Sequence, residues 1–411
     1  MSRPPRVGLF GILGSGNLGN DGSLDAVVTF LRERYPGVRL DFMCMGPETM
    51  TATYGAPATA LQWYEPHAGT ATGAHAALLK IAGKLLDPFR TLAWVRRQDV
   101  VIVPGMGVLE ATLPLRPWAF PYSLFWLAAC ARLTGAKVAL VSVGASVVGK
   151  RLTRAFITRA ARLAHYRSYR DALSRDAMRK MGVDVSADEI YPDLAFALPV
   201  PPPGAPTGVV GVGVMAYYGG NDDRARADEL HDRYVAALTG FVRHLVDNGR
   251  SVRLFTGDRA DAPVVEAILA DLRAHRPALE SGRVVAAPLT TLHDLIDQMS
   301  TVDTVVATRY HNVLCALKLA KPTLSIGYAA KNDVLMASMG LAEFCQPASS
   351  VDLARLIAQF DELESRREPL TATLVERNRA TRERLEHQFT ALSATIPGGL
   401  APARPVAVRG R

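Results

Sequence analysis

An arginine and a histidine two positions apart, at the end of an apolar run, can hold an anion and move a proton in one place. Residues 303–311 read DTVVATRYH and have this form. Asp303 to Ala307 has the composition of a buried strand, which delivers Arg309, Tyr310 and His311 at its carboxyl end. A helix is expected to begin near Asn312. Helix N-termini offer N–H groups to anions. A guanidinium can fork onto a phosphate or carboxylate, and an imidazole exchanges protons near neutral pH. Downstream, a short strand over Thr323 to Ile326 leads to Gly327, Tyr328 and then Lys331, a second candidate cation at the start of another helix.

Three further elements place candidate ligand-binding groups after strands. The first, Gly14-Ser15-Gly16-Asn17-Leu18-Gly19, fits G-x-G-x-x-G. Such glycines permit a tight turn and close approach of an anion to backbone N–H groups. Three readings stay open: an anion or substrate loop, a ligand-free turn, and a dinucleotide site. The dinucleotide site needs an acid at the end of the second strand, about 20 residues on. Asp41 lies near that distance but early in its strand, and the helix is expected only from about Ser23, with Asp21 or Ser23 as its cap. The second element is Pro104-Gly105-Met106-Gly107. In the third, Tyr169-Arg170-Asp171-Ala172-Leu173-Ser174, Arg170 is a candidate anion ligand and Asp171 or Ser174 a candidate helix cap.

These groups need a scaffold of strands alternating with helices. Val7 to Ile12, Leu40 to Met45, Asp99 to Val103 and Lys137 to Val143 read as strands with helical segments between them. The rhythm stops at the proline-rich segment 198–208 and restarts at Val209. The expected architecture is two doubly wound, Rossmann-like α/β domains facing a cleft. Their expected bounds are 1–199 and 209–349, joined by a linker over 200–208. Helices over 350–392 are expected to cross back to the first domain, and 393–411 reads as a disordered tail.

Length and composition agree with this plan. The 411 residues suggest about two or three domains. The net charge of +8 favours anionic partners, but the arginines are scattered and form no run suited to nucleic acid. Cys44, Cys130, Cys315 and Cys345 form neither a C-x-x-C pair nor a histidine-flanked cluster, so no zinc site or disulfide framework is expected. The N-terminus runs directly into an expected strand, so no signal peptide is expected, and a cytoplasmic location is expected. The most apolar stretch, Pro117 to Leu133, is too short for a confident span. It is expected as a core helix, though its aromatic residues and the basic charge also allow contact at the inner face of a membrane.

Together these motifs resemble the polysaccharide pyruvyl transferases, a family with a GT-B-like fold. The resemblance rests on Asn17-Leu18-Gly19, Gly105-Met106-Gly107, Arg170-Asp171 with Ser174, Arg309-Tyr310-His311, and Ala320-Lys321-Pro322 before Tyr328-Ala329-Ala330-Lys331. They occur in family order. The family has an acid directly after the glycine matched by Gly19; here Asn20 stands there and Asp21 follows. Met106 replaces a usual glycine, Tyr310 a usual leucine and Ala320 another glycine.

The resemblance implies a phosphoenolpyruvate donor and a sugar or glycan acceptor, lipid-linked acceptors included, joined as a pyruvate ketal. No cofactor or metal is implied. His311, Arg309 and Asp21 are the expected catalytic residues, and Arg170, Arg309 and Lys331 the expected donor ligands. Gly14, Asn17, Gly105, Gly107 and Tyr328 are expected to line the acceptor or the loops. The rival readings are a GT-B glycosyltransferase using a nucleotide-sugar, an NAD-binding oxidoreductase or epimerase, and a non-catalytic binder of anionic glycans.

Overall fold

Short runs of Val, Ile and Leu become the central strands of two parallel sheets. The computed structural model describes residues 3–65, 73–110, 117–220 and 222–396. The first sheet contains β1 (Arg6–Gly11), β2 (Arg39–Cys44), β3 (Ala58–Ala60), β4 (Val100–Pro104), β5 (Lys137–Val143), β6 (Tyr166–Tyr169) and β7 (Glu189–Ile190), in the order β3-β2-β1-β4-β5-β6-β7. Its pairings are all parallel, with Val7 beside Leu40 on one side and Val100 on the other. Helices α1 (Leu18–Arg34), α2 (Pro47–Tyr54), α3 (Gly73–Val95), α4 (Phe120–Thr134), α5 (Arg151–Leu163) and α6 (Ala172–Lys180) occur along this part of the chain. The β4 residues Val100 to Val103 are wholly buried, as a strand covered on both faces must be.

The second sheet contains β8 (Val209–Gly213), β9 (Ser251–Phe255), β10 (Val284–Ala286), β11 (Thr304–Ala307), β12 (Thr323–Gly327) and β13 (Cys345–Pro347). Its order is β10-β9-β8-β11-β12-β13, again with parallel pairings. Helices α7 (Ala227–Asp247), α8 (Ala262–His275), α9 (Leu292–Ser300), α10 (Tyr310–Lys318), α11 (Ala330–Ser338), α12 (Leu353–Ser365) and α13 (Arg367–Ser393) accompany it. In each sheet the strand order reverses once, between β1 and β4 and between β8 and β11. Loops leave such a switch point in opposite directions and open a crevice at the strand carboxyl ends.

The chain divides into two compact units. One comprises Met1–Ser15, Ser23–Leu194 and Arg384–Arg411; the other comprises Gly16–Gly22 and Ala195–Glu383. Within the first unit, Gln388 of α13 donates to Ser142 Oγ at 2.7 Å and Ser168 Oγ at 3.0 Å. Phe389 stacks on Phe30 at 4.4 Å between ring centroids. The tail over 397–411 lies outside the described residues.

One local expectation is corrected. Helix α1 begins at Leu18, not near Ser23, because Asn17 acts as its cap: its Oδ1 accepts from Asn20 N at 3.2 Å. Gly19 and Gly22 weaken a helix intrinsically, but tertiary neighbours press on both and occupy the space of a side chain. Asp41 sits mid-strand, with Trp94 Nε1 at 2.8 Å and Gln98 Nε2 at 3.0 Å. It therefore closes a structural bond rather than standing at the strand end where a ribose would be read. The apolar segment after Pro117 forms α4, with Phe120, Tyr122, Leu124 and Leu127 buried. No helix among the described residues is long and apolar enough to cross a membrane.

Candidate functional site

At the switch point of the second sheet, β11 ends and α10 begins within three residues. Thr308 N donates to Gly213 O at 3.0 Å, keeping the β8 and β11 ends together. Tyr234 Oη, fully buried, lies 2.7 Å from Thr308 Oγ1, and Asn332 Nδ2 donates to Thr308 O at 3.1 Å. The chain is thus fixed just before Arg309.

Arg309 is the N-cap residue of α10 and forks onto Asp261: Nε to Oδ2 at 2.9 Å and Nη2 to Oδ1 at 2.5 Å. Asp261 has no exposed surface. It also accepts from Ala216 N at 2.9 Å, and from Gly257 N and Asp258 N at 3.1 Å each. Burial opposes the Arg309 charge, but the hydrogen bonds and the charge of Asp261 outweigh it and hold the guanidinium pKa above its ordinary value. The Arg309 side chain keeps 22% of its surface, and no hydrogen bond among the described residues uses its Nη1. That edge can meet an anion with its direction already set.

The helix starts at Tyr310, so His311 stands in its first turn rather than ahead of it. The Tyr310 and His311 rings meet edge-on at 5.2 Å. Lys331, in the first turn of α11, places Nζ 5.6 Å from the Tyr310 ring centroid and 5.3 Å from that of Tyr328. Arg309, Tyr310, His311, Tyr328 and Lys331 therefore form one linked group. Beside it lies Asn312, wholly buried, whose carboxamide atoms have no hydrogen-bond partner among the described residues.

The glycine loop contributes a specific contact. A Cβ built on Gly19 would overlap the His311 ring, so only glycine lets the imidazole lie against this turn of α1. Gly19→Ala is expected to displace His311 by about an ångström and reduce turnover about 100-fold, with secondary structure unchanged by circular dichroism. Normal turnover would show that the ring position is unimportant. Asn17 caps the same turn, and Asp21 lies within it, its N–H donating to Asn17 O at 3.3 Å.

The other expected residues belong to the first compact unit and have packing roles there. Gly14, at φ 69°, passes so close to Gly46 that an added Cβ would lie 2.7 Å from Gly46 O. Gly105 leaves room for Ser23, and Gly107 for the Glu110 carboxylate. Met106 adopts φ 60°, in the left-handed region, which explains why a glycine suits this position. Asp171 caps α6 by accepting from Ser174 N at 2.6 Å, and Ser174 Oγ accepts from Ala145 N at 3.0 Å.

Arg170 requires a correction. Its guanidinium is buried against Glu110, with Asp171 at 3.6 Å and Asp193 at 3.7 Å. One positive charge facing three carboxylates is a structural cation, not an open anion clamp. Arg170→Ala would strand the buried Glu110 and Asp193 carboxylates and is expected to cost about 3–5 kcal/mol of stability. A thermal melt checks this; an unchanged midpoint would contradict the assignment.

Sequence reading missed Asp261, Glu110, Tyr234 and Asn332. The run Asp258 to Asp261 did carry a signal: acids three apart after a strand, which form a capping box here. Among the described residues no group of three or more His, Cys, Asp or Glu side chains is placed to hold a metal. Cys44, Cys130 and Cys315 are buried and Cys345 half-buried, none of them in a disulfide, and burial pushes the Cys130 pKa up to about 11.

Known structures share this architecture at low sequence identity. A putative UDP-N-acetylglucosamine 2-epimerase from Listeria monocytogenes aligns with a TM-score of 0.60 and 11% identity, over 95% of this chain and 96% of its own. MurG from Acinetobacter baumannii aligns at 0.53 and 15%, over 95% and 100%. The UDP-GlcNAc 2-epimerase from Neisseria meningitidis, solved with UDP-GlcNAc, aligns at 0.55 and 10%, over 94% and 99%. These likenesses establish a GT-B-like fold. No curated protein sequence matches the chain significantly. A family model described as polysaccharide pyruvyl transferase matches residues 17–329, from the cap of α1 to the segment holding Tyr328, and so the chain belongs to the polysaccharide pyruvyl transferase family.

Proposed function

We propose that this transferase moves the enolpyruvyl group of phosphoenolpyruvate onto two hydroxyls of one sugar, forming a pyruvate ketal and releasing phosphate. The reading is supported above all by Arg309, whose fork is oriented by buried Asp261 one residue before a helix that carries His311. A strongly charged donor needs fixed positive charge in place before it arrives. Arg309 and Lys331 supply that charge for its carboxylate and phosphate. Arg170, surrounded by carboxylates, does not.

The chemistry sets the demands on the site. A proton adds to the terminal CH2 carbon of the donor, leaving an oxocarbenium ion at the adjacent carbon. One sugar hydroxyl bonds to that carbon and loses its proton. The carbon–oxygen bond to phosphate then breaks, phosphate leaves with the electron pair, and the second hydroxyl closes the ketal. Of the two hydroxyl protons, one replaces that taken up by carbon and the other goes to phosphate. His311 moves protons in this sequence, and Asp21 in the α1 turn is the second candidate. The arginine and lysine stabilise the departing phosphate, so the scheme calls for no metal.

The test is incubation with phosphoenolpyruvate and a panel of sugars, including lipid-linked precursors, with release of inorganic phosphate as the readout. Acceptor-dependent release is expected. Release of nucleotide from nucleotide-sugars, with none of phosphate from phosphoenolpyruvate, would replace this reading with that of a glycosyltransferase.

A further inference from the structure

Helix α3 exposes an unusual amount of apolar surface. Leu78, Ile81, Leu85 and Phe89 are 65%, 62%, 68% and 71% exposed, against 1% for Trp94 on the opposite face. Their spacing of three, four and four residues puts them on one stripe. Thr91, Trp94 and Val95 face the protein. A single exposed leucine needs no explanation, but an aligned row of four does.

The charge around the stripe is one-sided. Residues 73–97 contain Lys80, Lys84, Arg90, Arg96 and Arg97, and only one acid, Asp87; Lys84 and Arg90 are half-buried and paired with it, which leaves Lys80, Arg96 and Arg97 as the exposed cations. Asp87 is buried, bonded to Trp63 N at 2.8 Å and Arg90 at 3.0 Å. Helix α4 packs against both α3 and α5. Ahead of it stands Trp118, half-exposed, 5.9 Å from the Phe156 ring of α5 and 5.6 Å from the Tyr122 ring. Tyr122 in turn donates to Lys84 O of α3 at 2.6 Å. Over residues 150–163 the exposed side chains are Lys150, Arg151, Leu152, Arg154, Arg159 and Arg162, with no acid. From Ala111 to Arg170 the sequence has no Asp or Glu at all.

We propose that the apolar stripe of α3, together with Trp118 and the basic outer face of α5, docks the protein on an anionic lipid bilayer. Apolar side chains in line beside cations, with a tryptophan at their edge, suit a helix lying within the headgroup layer. Pairing with a second copy through this face would set two acid-free basic surfaces against each other. The inference does not depend on pyruvyl transfer.

The test is flotation of the full chain with vesicles of phosphatidylcholine alone or mixed with phosphatidylglycerol. Binding is expected to the mixed vesicles, to weaken with salt, and to be slight with phosphatidylcholine. Leu85→Gln with Phe89→Gln should lower it at least about tenfold. Arg151→Glu with Arg154→Glu should remove the preference for anionic lipid. All four side chains are exposed, so circular dichroism and melting should match the parent. Failure of the parent to float with mixed vesicles would overturn the proposal, as would binding that neither variant changes. A concentration-dependent dimer abolished by the Leu85 and Phe89 substitutions would also overturn it, because a second copy would then cover the stripe.

Discussion

His311→Ala is expected to lower phosphate release from phosphoenolpyruvate by about 10²–10⁴-fold, the usual worth of a positioned proton-transfer group. The position of the ring supports a loss at the upper end of that range. Residue 311 lies in the first turn of α10, edge-on to Tyr310 and against Gly19, so the imidazole is held from two sides. Phosphoenolpyruvate carries no basic nitrogen to replace it. His311→Gln keeps much of the volume and can hydrogen-bond but cannot cycle a proton, so it should be nearly as inactive. Melting temperatures separate this from misfolding, and both variants should melt near the parent. Turnover within a few-fold of the parent in either variant would remove His311 from the reaction.

The second large effect is at the Arg309–Asp261 pair. Arg309→Ala removes the fixed charge that Asp261 orients, and about 10²–10³-fold in kcat/KM should go with it. The same change leaves Asp261 buried without its counter-ion, at a stability cost of about 3–5 kcal/mol. Arg309→Lys keeps the charge but not the two-pronged geometry, and should recover stability better than activity. Asp261→Asn separates the two roles. The amide can still accept backbone N–H bonds through one oxygen, so the fold should survive with modest loss. The guanidinium loses its orienting charge, so KM for phosphoenolpyruvate should rise more than kcat falls. Parental kinetics in Asp261→Asn would show that the orientation of Arg309 does not matter.

The sequence patterns that proved legible are those carried by neighbouring residues. Val100 to Val103 and Thr304 to Ala307 are apolar runs bounded by turns, and both are buried central strands. Arg309 and His311 fall within one strand end and one helix start, so a local pattern sufficed. Contacts between distant positions were not legible. Asp261 reaches Arg309 from 48 residues upstream, and Glu110 reaches Arg170 across 60. Nothing local marked Arg170 as neutralised, so its charge looked available. The start of α1 is likewise set by residues distant in sequence. Glycines at 19 and 22 argue against a helix by propensity, but His311 and Leu292 need those positions bare. Nor did the composition of α3 distinguish an exposed apolar stripe from a buried one, because a hydrophobic face reads the same whichever way it turns.

The most direct test of pyruvyl transfer is to run the reaction in deuterated water and examine the product by NMR and mass spectrometry. Protonation of the donor's terminal carbon predicts a ketal whose methyl group carries one deuterium, formed in equal amount with inorganic phosphate. Phosphate release without a ketal, or a product that has gained a glycosyl group instead, would contradict the account.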